Sequence, residues 1–238
     1  MISGDDRGMS AEKHTWIDSG IYSIPEASQL TGISQPRLRR WLRGYSFRRK
    51  DQHVAMPPVW SPASPIVEGR MAFTFRDLVE VRFVDAFIRE GVSWRTIRRA
   101  EKHATDLFGD THPFSTNRFK TDGRDIFVEI SASSREKALV DIAARQRVFA
   151  RIIRPYLCDL DFDSDSPVRW WPLGKQRRVV IDPQRAFGQP ITSSRSIPTK
   201  ILCLAYRENS SFKAVADWYE VPIREVRDAI TFEKQIAA

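Results

Sequence analysis

The sequence predicts a mainly α-helical protein with small β elements, in which an N-terminal winged helix-turn-helix is joined to a C-terminal helical domain with a helix-turn-helix pattern of its own. Three observations favour this fold class. Apolar residues recur at helical spacing in segments that begin with capping residues and often end at glycine. Arginines cluster on one short predicted helix. A segment near the C-terminus repeats the pattern of the first helix pair.

Composition and charge bound the class of protein. The chain has 238 residues, of which 42% are apolar and 29% charged, as in soluble globular proteins with room for two small domains. No apolar run approaches the roughly 20 residues of a membrane helix, and the N-terminus lacks a signal-peptide pattern. We therefore expect a cytoplasmic protein without a membrane partner. The net charge of +8 favours an anionic partner.

The first ordered elements are a predicted helix pair. Residues 1–20 show no periodicity and predict a flexible tail. Ser23 can cap a helix that ends at Gly32, because glycine suits a left-handed stop. Ser34 can cap a second helix, whose apolar positions fall on one face: Leu38, Trp41 and Leu42.

The second helix begins a basic segment. From Arg37 to Lys50 there are seven basic residues and no acidic one, and such a local patch suits phosphate binding. Arginine can also read guanine edges, and a glutamine near the helix start can read adenine. The predicted DNA-binding residues are Gln35, Arg37, Arg39, Arg40, Arg43, Arg48, Arg49 and Lys50. The alternative is a plain helix hairpin with a solvated arginine face.

The segments that follow complete a predicted DNA-binding domain over residues 21–112. The proline-rich stretch 51–70 predicts a long loop that could form an extended wing. Apolar positions then recur at helical spacing from Phe75 to Gly91, and Ser93 can cap a further helix.

Residues 113–178 are predicted to form a connecting unit. Asp122-Gly123 lies between short apolar stretches and predicts a β-hairpin over 119–128. A capping box at Ser133 predicts a connecting helix over 134–153. A change to acidic and then tryptophan-rich composition predicts a linker that ends at residue 178.

Residues 179–238 are predicted to form the C-terminal helical domain, with helices after Pro198, over Ser211–Tyr219 and from Pro222. A shift of 188 residues places the first helix pair over the last two of these helices without a gap. For this second copy the sequence favours a plain helix hairpin, because Glu225 and Asp228 would cancel the charge of its exposed face.

Two segments of the first half resemble the MerR family. They are YSIPEASQLTGISQPRLRRWLRGY (22–45) and FTFRDLVEVRFVDAFIREGVSWRTIRRA (73–100). The resemblance implies a winged helix-turn-helix in which the stretch from Leu38 to Trp41 lies in the major groove and contacts phosphates. The insertion before Phe73 departs from the short wing of that family.

The C-terminal block 179–233 resembles the domain of unknown function 433 that recurs in VapB-type antitoxins. The matching positions are Ile181, Asp182, Pro183, Gly188, Pro190, Arg195 and Ile197. Many relatives have Gly-Thr-Arg where this chain has Ser193-Ser194-Arg195. The resemblance implies neutralisation of a PIN-domain ribonuclease toxin and autoregulation of an operon.

No catalytic machinery is visible in the sequence. Asp159, Asp161 and Asp163 have the spacing of a calcium loop, but the sixth and twelfth positions are Ser164 and Trp170 rather than glycine and glutamate. The histidines are scattered, and no glycine-rich phosphate loop or nucleophile elbow appears. We therefore expect no enzyme, no metal site and no cofactor.

The expected partners are operator DNA, a second copy of the chain and, as the resemblance to VapB-type antitoxins implies, a PIN-domain toxin. A homodimer is expected because paired recognition helices read half-sites about one DNA turn apart. A basic side chain could enter the acidic metal site of such a toxin. The predicted toxin-binding residues are Trp170, Trp171, Lys175, Arg177, Arg178 and Arg195. Two alternatives remain: a stand-alone regulator whose C-terminal domain dimerises or senses a ligand, and a protein-binding adaptor.

Overall fold

The computed structural model describes residues 20–49, 52–56, 58, 66–67, 70–119, 122–123, 125–126 and 155–237. The predicted helix over 134–153 and tail residues 1–19 lie outside this range. Within it the fold is mainly helical. In chain order the elements are β1 (Ile21–Ser23), α1 (Ile24–Thr31), α2 (Gln35–Arg43), β2 (Tyr45–Arg49), β3 (Gln52–Met56), β4 (Ile66–Val67), β5 (Arg70–Thr74), α3 (Phe75–Arg89), α4 (Trp94–Phe108), β6 (Leu160–Asp163), β7 (Ser166–Trp170), β8 (Val179–Ile181), β9 (Pro190–Thr192), α5 (Thr199–Asn209), α6 (Phe212–Trp218) and α7 (Ile223–Ile236).

The first helix pair forms as its capping signals predict. Ser23 and Glu26 make a reciprocal capping box at the start of α1, which satisfies backbone N–H groups that the helix itself leaves unpaired. Gly32 ends α1 in the left-handed conformation. Ile33 in the turn is buried, and so are the three apolar residues of α2: Leu38, Trp41 and Leu42.

Two antiparallel strand pairings follow α2. Strands β2 and β3 form a hairpin in which Tyr45 pairs with Met56 and Arg49 with Gln52. A second sheet has the order β1-β5-β4, so β5 returns the chain beside β1. The stretch 51–70, predicted as a long loop, therefore contains strand residues, because pairing with β2 and β5 offers backbone partners that its local composition does not reveal.

Helix α3 contributes more residues to the first hydrophobic core than any other element. Thr74 caps it in a second capping box with Asp77. The core includes several aromatic rings: Phe73, Phe75, Phe83, Phe87, Phe114 and Phe119. The ring of Phe119 packs against that of Phe114 at a centroid distance of 4.9 Å.

The hairpin predicted over 119–128 is not formed in the described residues of that segment. Residues 117–119, 122–123 and 125–126 are helical. Phe119 and Ile126 are buried in the first core, and this burial outweighs the local turn preference of Asp122-Gly123.

The segment predicted to be a linker contributes two strands to an antiparallel sheet of order β6-β7-β8-β9. Trp170 of β7 pairs with Ile181 of β8, so the sheet crosses the boundary predicted after residue 178. Leu160, Trp170 and Ile181 belong to the first hydrophobic core. The sheet thus joins the two halves rather than separating them.

A second, smaller core holds α5, α6 and α7 together. It contains Leu202, Cys203, Val215, Ala216, Val221, Val226, Ala229 and Ile230. The two halves also meet where the buried hydroxyl of Tyr22 donates a hydrogen bond to the carbonyl of Gly188 at 2.9 Å. Among the helices of the described residues, none is long and apolar enough to cross a membrane.

Candidate nucleic-acid interface and partner surface

Helix α2 presents an apolar face to the core and arginines to solvent. Arg39, Arg40 and Arg43 are exposed, as their offset from the buried positions predicts. Gln35 accepts a hydrogen bond from Arg39 Nη2 at 3.0 Å, so these two side chains lie side by side at the start of the helix. A guanidinium retains further donors after one such bond.

Arg37 differs from its neighbours because it anchors α2 to α3. Its Nη1 lies 3.0 Å from Oδ1 of the buried Asp85 and its guanidinium lies 5.1 Å from the ring centre of Trp41. Asp85 also pairs with Arg89 of its own helix at 2.5 Å. Arg37 therefore fixes the orientation of the helix, and only part of its side chain is open to a ligand.

The hairpin after α2 extends the basic character. Arg48 is exposed on β2, where it pairs in register with His53 of β3. Lys50 and the side chain of Arg49 lie outside what the structure describes. We call Gln35, Arg39, Arg40, Arg43 and Arg48 the arginine surface. The exposed arginines of this set can neutralise phosphates, and they and the half-buried Gln35 carry donors that can reach base edges.

The structure separates the two predicted toxin-contact tryptophans. Trp170 is 3% exposed and its ring lies under the guanidinium of Arg82, 3.9 Å from the ring centre. It is therefore a core residue and is not available to a partner. Trp171 is half-buried and donates from Nε1 to Asp161 at 2.8 Å. The large apolar ring of Trp170 explains its burial. The sequence pattern alone does not show which of the two tryptophans is buried.

The four basic residues predicted for toxin contact are all exposed. Lys175 pairs with Asp161 at 2.6 Å, and Arg177 with Asp228 at 2.7 Å. Arg195 pairs with the exposed Glu220 at 3.2 Å. We call Lys175, Arg177, Arg178 and Arg195 the C-terminal basic surface.

The sequence predicts that the acidic residues of α7 lie on its exposed face, but the structure buries them. Glu225 and Asp228 are 2% and 1% exposed. Glu225 accepts a hydrogen bond from Ser194 Oγ at 2.7 Å, and Asp228 accepts from the backbone N–H of Arg178 at 3.0 Å. They are buried because the loops before α5 supply their partners, which a helical wheel cannot show.

Sequence reasoning also missed two exposed aromatic side chains in the C-terminal half. Phe187 is 78% exposed and has a positive φ of 56°, and Trp218 is 72% exposed at the end of α6. A strained backbone such as that of Phe187 is often found at functional sites, and tryptophan is enriched at binding hot spots, but no sequence pattern distinguishes these two rings from core aromatics.

A buried ionic cluster lies at the start of α3. His112 Nε2 is 2.8 Å from Asp77 Oδ1, and Glu80 accepts from the backbone N–H of Phe114 at 3.1 Å. Burial raises the pKa of Glu80 to about 8, although the nearby His112 and Phe114 oppose the rise. Burial alone would lower the pKa of His112, but the hydrogen bond to Asp77 and the charge of Glu80 outweigh it and raise that pKa.

Similar proteins come from Mycobacterium tuberculosis. A protein named "Putative antitoxin VapB45" is 28% identical over 90% of this chain and 94% of its own length. The chain thus resembles a protein named as a VapB-type antitoxin along both of its halves. A second relative, "Uncharacterized protein Rv2308", is 23% identical over 92% of each chain.

The crystal structure of Rv2018 from Mycobacterium tuberculosis has the same fold. It superposes with a TM-score of 0.68 at 23% identity, covering 88% of this chain and 96% of that chain. No protein-family model matches the chain. The resemblances to the MerR family and to the domain of unknown function 433 therefore rest on the residues quoted above.

Proposed function

We propose that this protein is the antitoxin of a type II toxin–antitoxin system, which neutralises a PIN-domain ribonuclease toxin and binds operator DNA to repress its own operon. The observation that carries the proposal is the similarity to a named VapB-type antitoxin over 90% of the chain. That similarity extends over both the half with the arginine surface and the half with the C-terminal basic surface.

The arginine surface supports the DNA-binding part of the proposal. Helix α2 follows α1 through a tight turn, and its buried anchors leave Arg39, Arg40 and Arg43 pointing to solvent. The contact of Arg37 with Asp85 holds the helix against α3, so the exposed arginines are presented by a fixed element. The β2–β3 hairpin with Arg48 would act as the wing.

A homodimer is the assembly in which we expect this surface to act. Two-fold symmetric dimers are the commonest soluble oligomers, and two copies of α2 would read half-sites about one helical turn apart. The operator would then have approximate two-fold symmetry.

The C-terminal basic surface is the proposed contact for the toxin. PIN-domain sites are acidic and bind metal, so an arginine directed into such a site would pair with its carboxylates. Arg178 and Arg195 are exposed and reach solvent from loops rather than helices. Trp170 is removed from the predicted set because it is buried.

A shift assay on the upstream promoter DNA tests the DNA-binding part. The variant Arg39→Ala/Arg40→Ala removes two exposed charges from α2, and the matched control Lys200→Ala/Arg207→Ala removes two from α5. We expect the first variant to bind DNA more weakly. The plot of its log affinity against log salt concentration should also become shallower, by about 0.9 in slope per lost phosphate contact. Equal salt slopes for the two variants would contradict the assignment.

Co-expression with the product of the neighbouring gene tests the toxin-binding part. We expect a small ribonuclease to co-purify and to be inhibited. The charge-reversal variant Arg178→Glu/Arg195→Glu should release it, while Lys200→Glu/Arg207→Glu should not. Inhibition that survives the first variant would show that another surface contacts the toxin.

One observation favours the rival function of a stand-alone regulator that senses a ligand. A cleft lies where α1, α3 and α7 meet, and one of its lining residues is the half-buried Arg82. A specific DNA shift without any co-purifying ribonuclease would support this rival.

A further inference from the structure

Two aromatic side chains of the C-terminal half are largely exposed. Phe187 is 78% exposed and Trp218 is 72% exposed, more than any other large apolar side chain in the part of the chain that the structure describes. Aromatic rings gain much free energy when they are buried, so leaving both rings in water has a cost. Their exposure makes this part of the surface a candidate for contact with another molecule.

A strained loop holds Phe187 in its exposed position. Ala186, Phe187 and Gly188 follow one another with positive φ values of 47°, 56° and 76°. The left-handed conformation is unfavourable for the two residues that are not glycine. Such strain persists only where the surrounding structure enforces it. The position of the ring is therefore imposed by the fold.

Contacts on both sides of Phe187 fix the loop. On one side, the hydroxyl of Tyr22 donates to the carbonyl of Gly188 at 2.9 Å, and a Cβ at position 188 would clash with that hydroxyl. On the other side, Arg185 donates from Nε to Ser196 Oγ at 2.9 Å. A ring on a rigid loop loses little conformational freedom when a partner binds, and this favours affinity.

A chain of polar contacts links the two exposed rings. Arg185 ties the loop before β9 to the loop after β9. Arg195 of the second loop pairs with Glu220 at 3.2 Å, and Glu220 comes two residues after Trp218. All the residues of this chain are at least partly exposed. We call them the aromatic–arginine strip, and its members are Phe187, Arg185, Ser196, Arg195, Glu220 and Trp218.

The aromatic–arginine strip carries more positive than negative charge. Arg185 donates to a hydroxyl and a carbonyl, and within the described residues no carboxylate pairs with it. Arg195 pairs with Glu220, but the two side chains are 57% and 72% exposed. An exposed ion pair contributes little to stability, so Arg195 can exchange its partner for an acidic group of another molecule. The strip therefore suits a partner whose own surface is acidic.

This charge also distinguishes between possible partners. In a two-fold dimer the same patch meets itself, so a second copy would bring the excess positive charge of the strip against itself. A single strand of nucleic acid could stack on the rings, but its phosphates would meet the exposed carboxylate of Glu220. A protein with acidic groups around an apolar pocket meets neither difficulty.

We infer that the aromatic–arginine strip is the docking surface for an acidic protein, in which Phe187 fills an apolar pocket while Arg185 and Arg195 pair with the surrounding carboxylates. Trp218 is the second anchor. Aromatic residues and arginine are enriched at the centres of protein interfaces. The inference rests on the proposed function, because the partner to which it commits is the ribonuclease toxin.

Titration of the full chain with the purified product of the neighbouring gene tests the surface. Phe187→Ala removes the ring and should weaken binding about 30-fold, as the truncation of an interface hot spot does. Phe187→Tyr keeps an aromatic ring and should bind more tightly than Phe187→Ala. The matched control Leu107→Ala removes an exposed apolar side chain from α4 and should bind like the unmodified chain.

Phe187→Gly separates binding from folding. Glycine adopts the left-handed conformation without strain, so this variant should melt up to about 2–4 °C higher than the unmodified chain. It should nevertheless bind the partner as weakly as Phe187→Ala does. A variant that melts higher and binds as tightly as the unmodified chain would overturn the inference.

Three further results would assign the strip differently. Equal partner affinity of Phe187→Ala and Leu107→Ala would show that the ring lies outside the interface. Self-association that is lost in Phe187→Ala, measured by sedimentation, would assign the strip to a second copy of the chain. Binding of a fluorescent single-stranded RNA that is lost in Phe187→Ala would assign it to nucleic acid. Each of these results overturns the inference.

The titration also distinguishes failure of the inference from failure of the proposed function. If the gene product binds all variants as tightly as it binds the unmodified chain, the strip is refuted and the toxin-binding function stands. If the gene product does not bind the unmodified chain, the toxin-binding function is refuted, and the inference is overturned with it.

Discussion

Glu80 should make the protein less stable as pH rises through neutrality. Its side chain is buried in α3, where Oε1 accepts from the backbone N–H of Phe114 and Oε2 has no partner. Burial raises the pKa of Glu80 from 4.5 to about 8. The folded chain therefore holds this proton up to higher pH than the unfolded chain, and the substitution Glu80→Gln removes the titration while keeping a similar shape.

The sign and size of the effect follow from proton linkage. Where the folded state binds more protons than the unfolded state, the free energy of unfolding falls with pH. At about 1.4 kcal/mol per pH unit, the rise of the pKa of Glu80 from 4.5 to about 8 corresponds to roughly 5 kcal/mol, lost between these two values. Relaxation around a charged Glu80 and its coupling to His112 reduce this figure.

His112 acts in the same direction. Its pKa is raised by Asp77 and Glu80 against the effect of burial, so its stabilisation is present below the ordinary value of 6.5 and is lost as pH rises through the raised value. Asp77 has the opposite dependence. The hydrogen bond from His112 outweighs burial and lowers the pKa of Asp77, so its stabilisation is lost only as the solution becomes strongly acidic.

Urea unfolding at pH 5, 7 and 9 measures these effects. We expect the unmodified chain to lose several kcal/mol between the first and last pH, and Glu80→Gln to lose much less. The control Glu90→Gln removes a carboxylate from the exposed end of α3 and should behave like the unmodified chain. A parallel pH dependence of Glu80→Gln and the unmodified chain would refute the reasoning.

Three further substitutions test the packing in unfolding experiments. Trp170→Ala should cost about 3–5 kcal/mol, because it empties a core position under Arg82, and a loss below 1 kcal/mol would contradict its burial. Asp228→Ala should cost about 1–3 kcal/mol, because it leaves the backbone N–H of Arg178 without its acceptor and removes the partner of the half-exposed Arg177, and an unchanged melting temperature would contradict this. Glu220→Gly should stabilise by up to about 1 kcal/mol, because Glu220 has a φ of 51°, and destabilisation would show that its pair with Arg195 matters more.

The helices could be predicted wherever their ends carry local signals. The capping box at Ser23 and the glycine at position 32 define α1 in sequence and in structure alike, because the groups that satisfy the helix ends lie within a few residues. The buried face of α2 follows in the same way from the spacing of Leu38, Trp41 and Leu42.

The strands and the buried polar residues could not be predicted in this way. The pairing of Trp170 with Ile181 joins segments whose contact depends on the whole fold. Residues 122–123 are helical although an Asp-Gly pair alone favours a turn, and the burial of Phe119 and Ile126 on either side of them depends on distant parts of the chain. Local patterns identify helix faces, but they do not show which loop later covers them.

The two helix pairs share a turn geometry but place acidic side chains differently. Gly32 and Glu220 occupy the same place 188 residues apart, and both have a positive φ, so the turn geometry is repeated. On the first copy Arg37 of α2 pairs with a buried acid of another helix. At the equivalent place on the second copy stands Glu225, which is itself buried and accepts from Ser194 of a loop. The two copies therefore share the turn and the apolar anchors. In the first copy the acid comes from another helix, whereas in the second copy it comes from α7 itself. The exposed arginines of the first copy belong to α2 itself. In the second copy the buried acids of α7 instead bind the loops that carry the C-terminal basic surface.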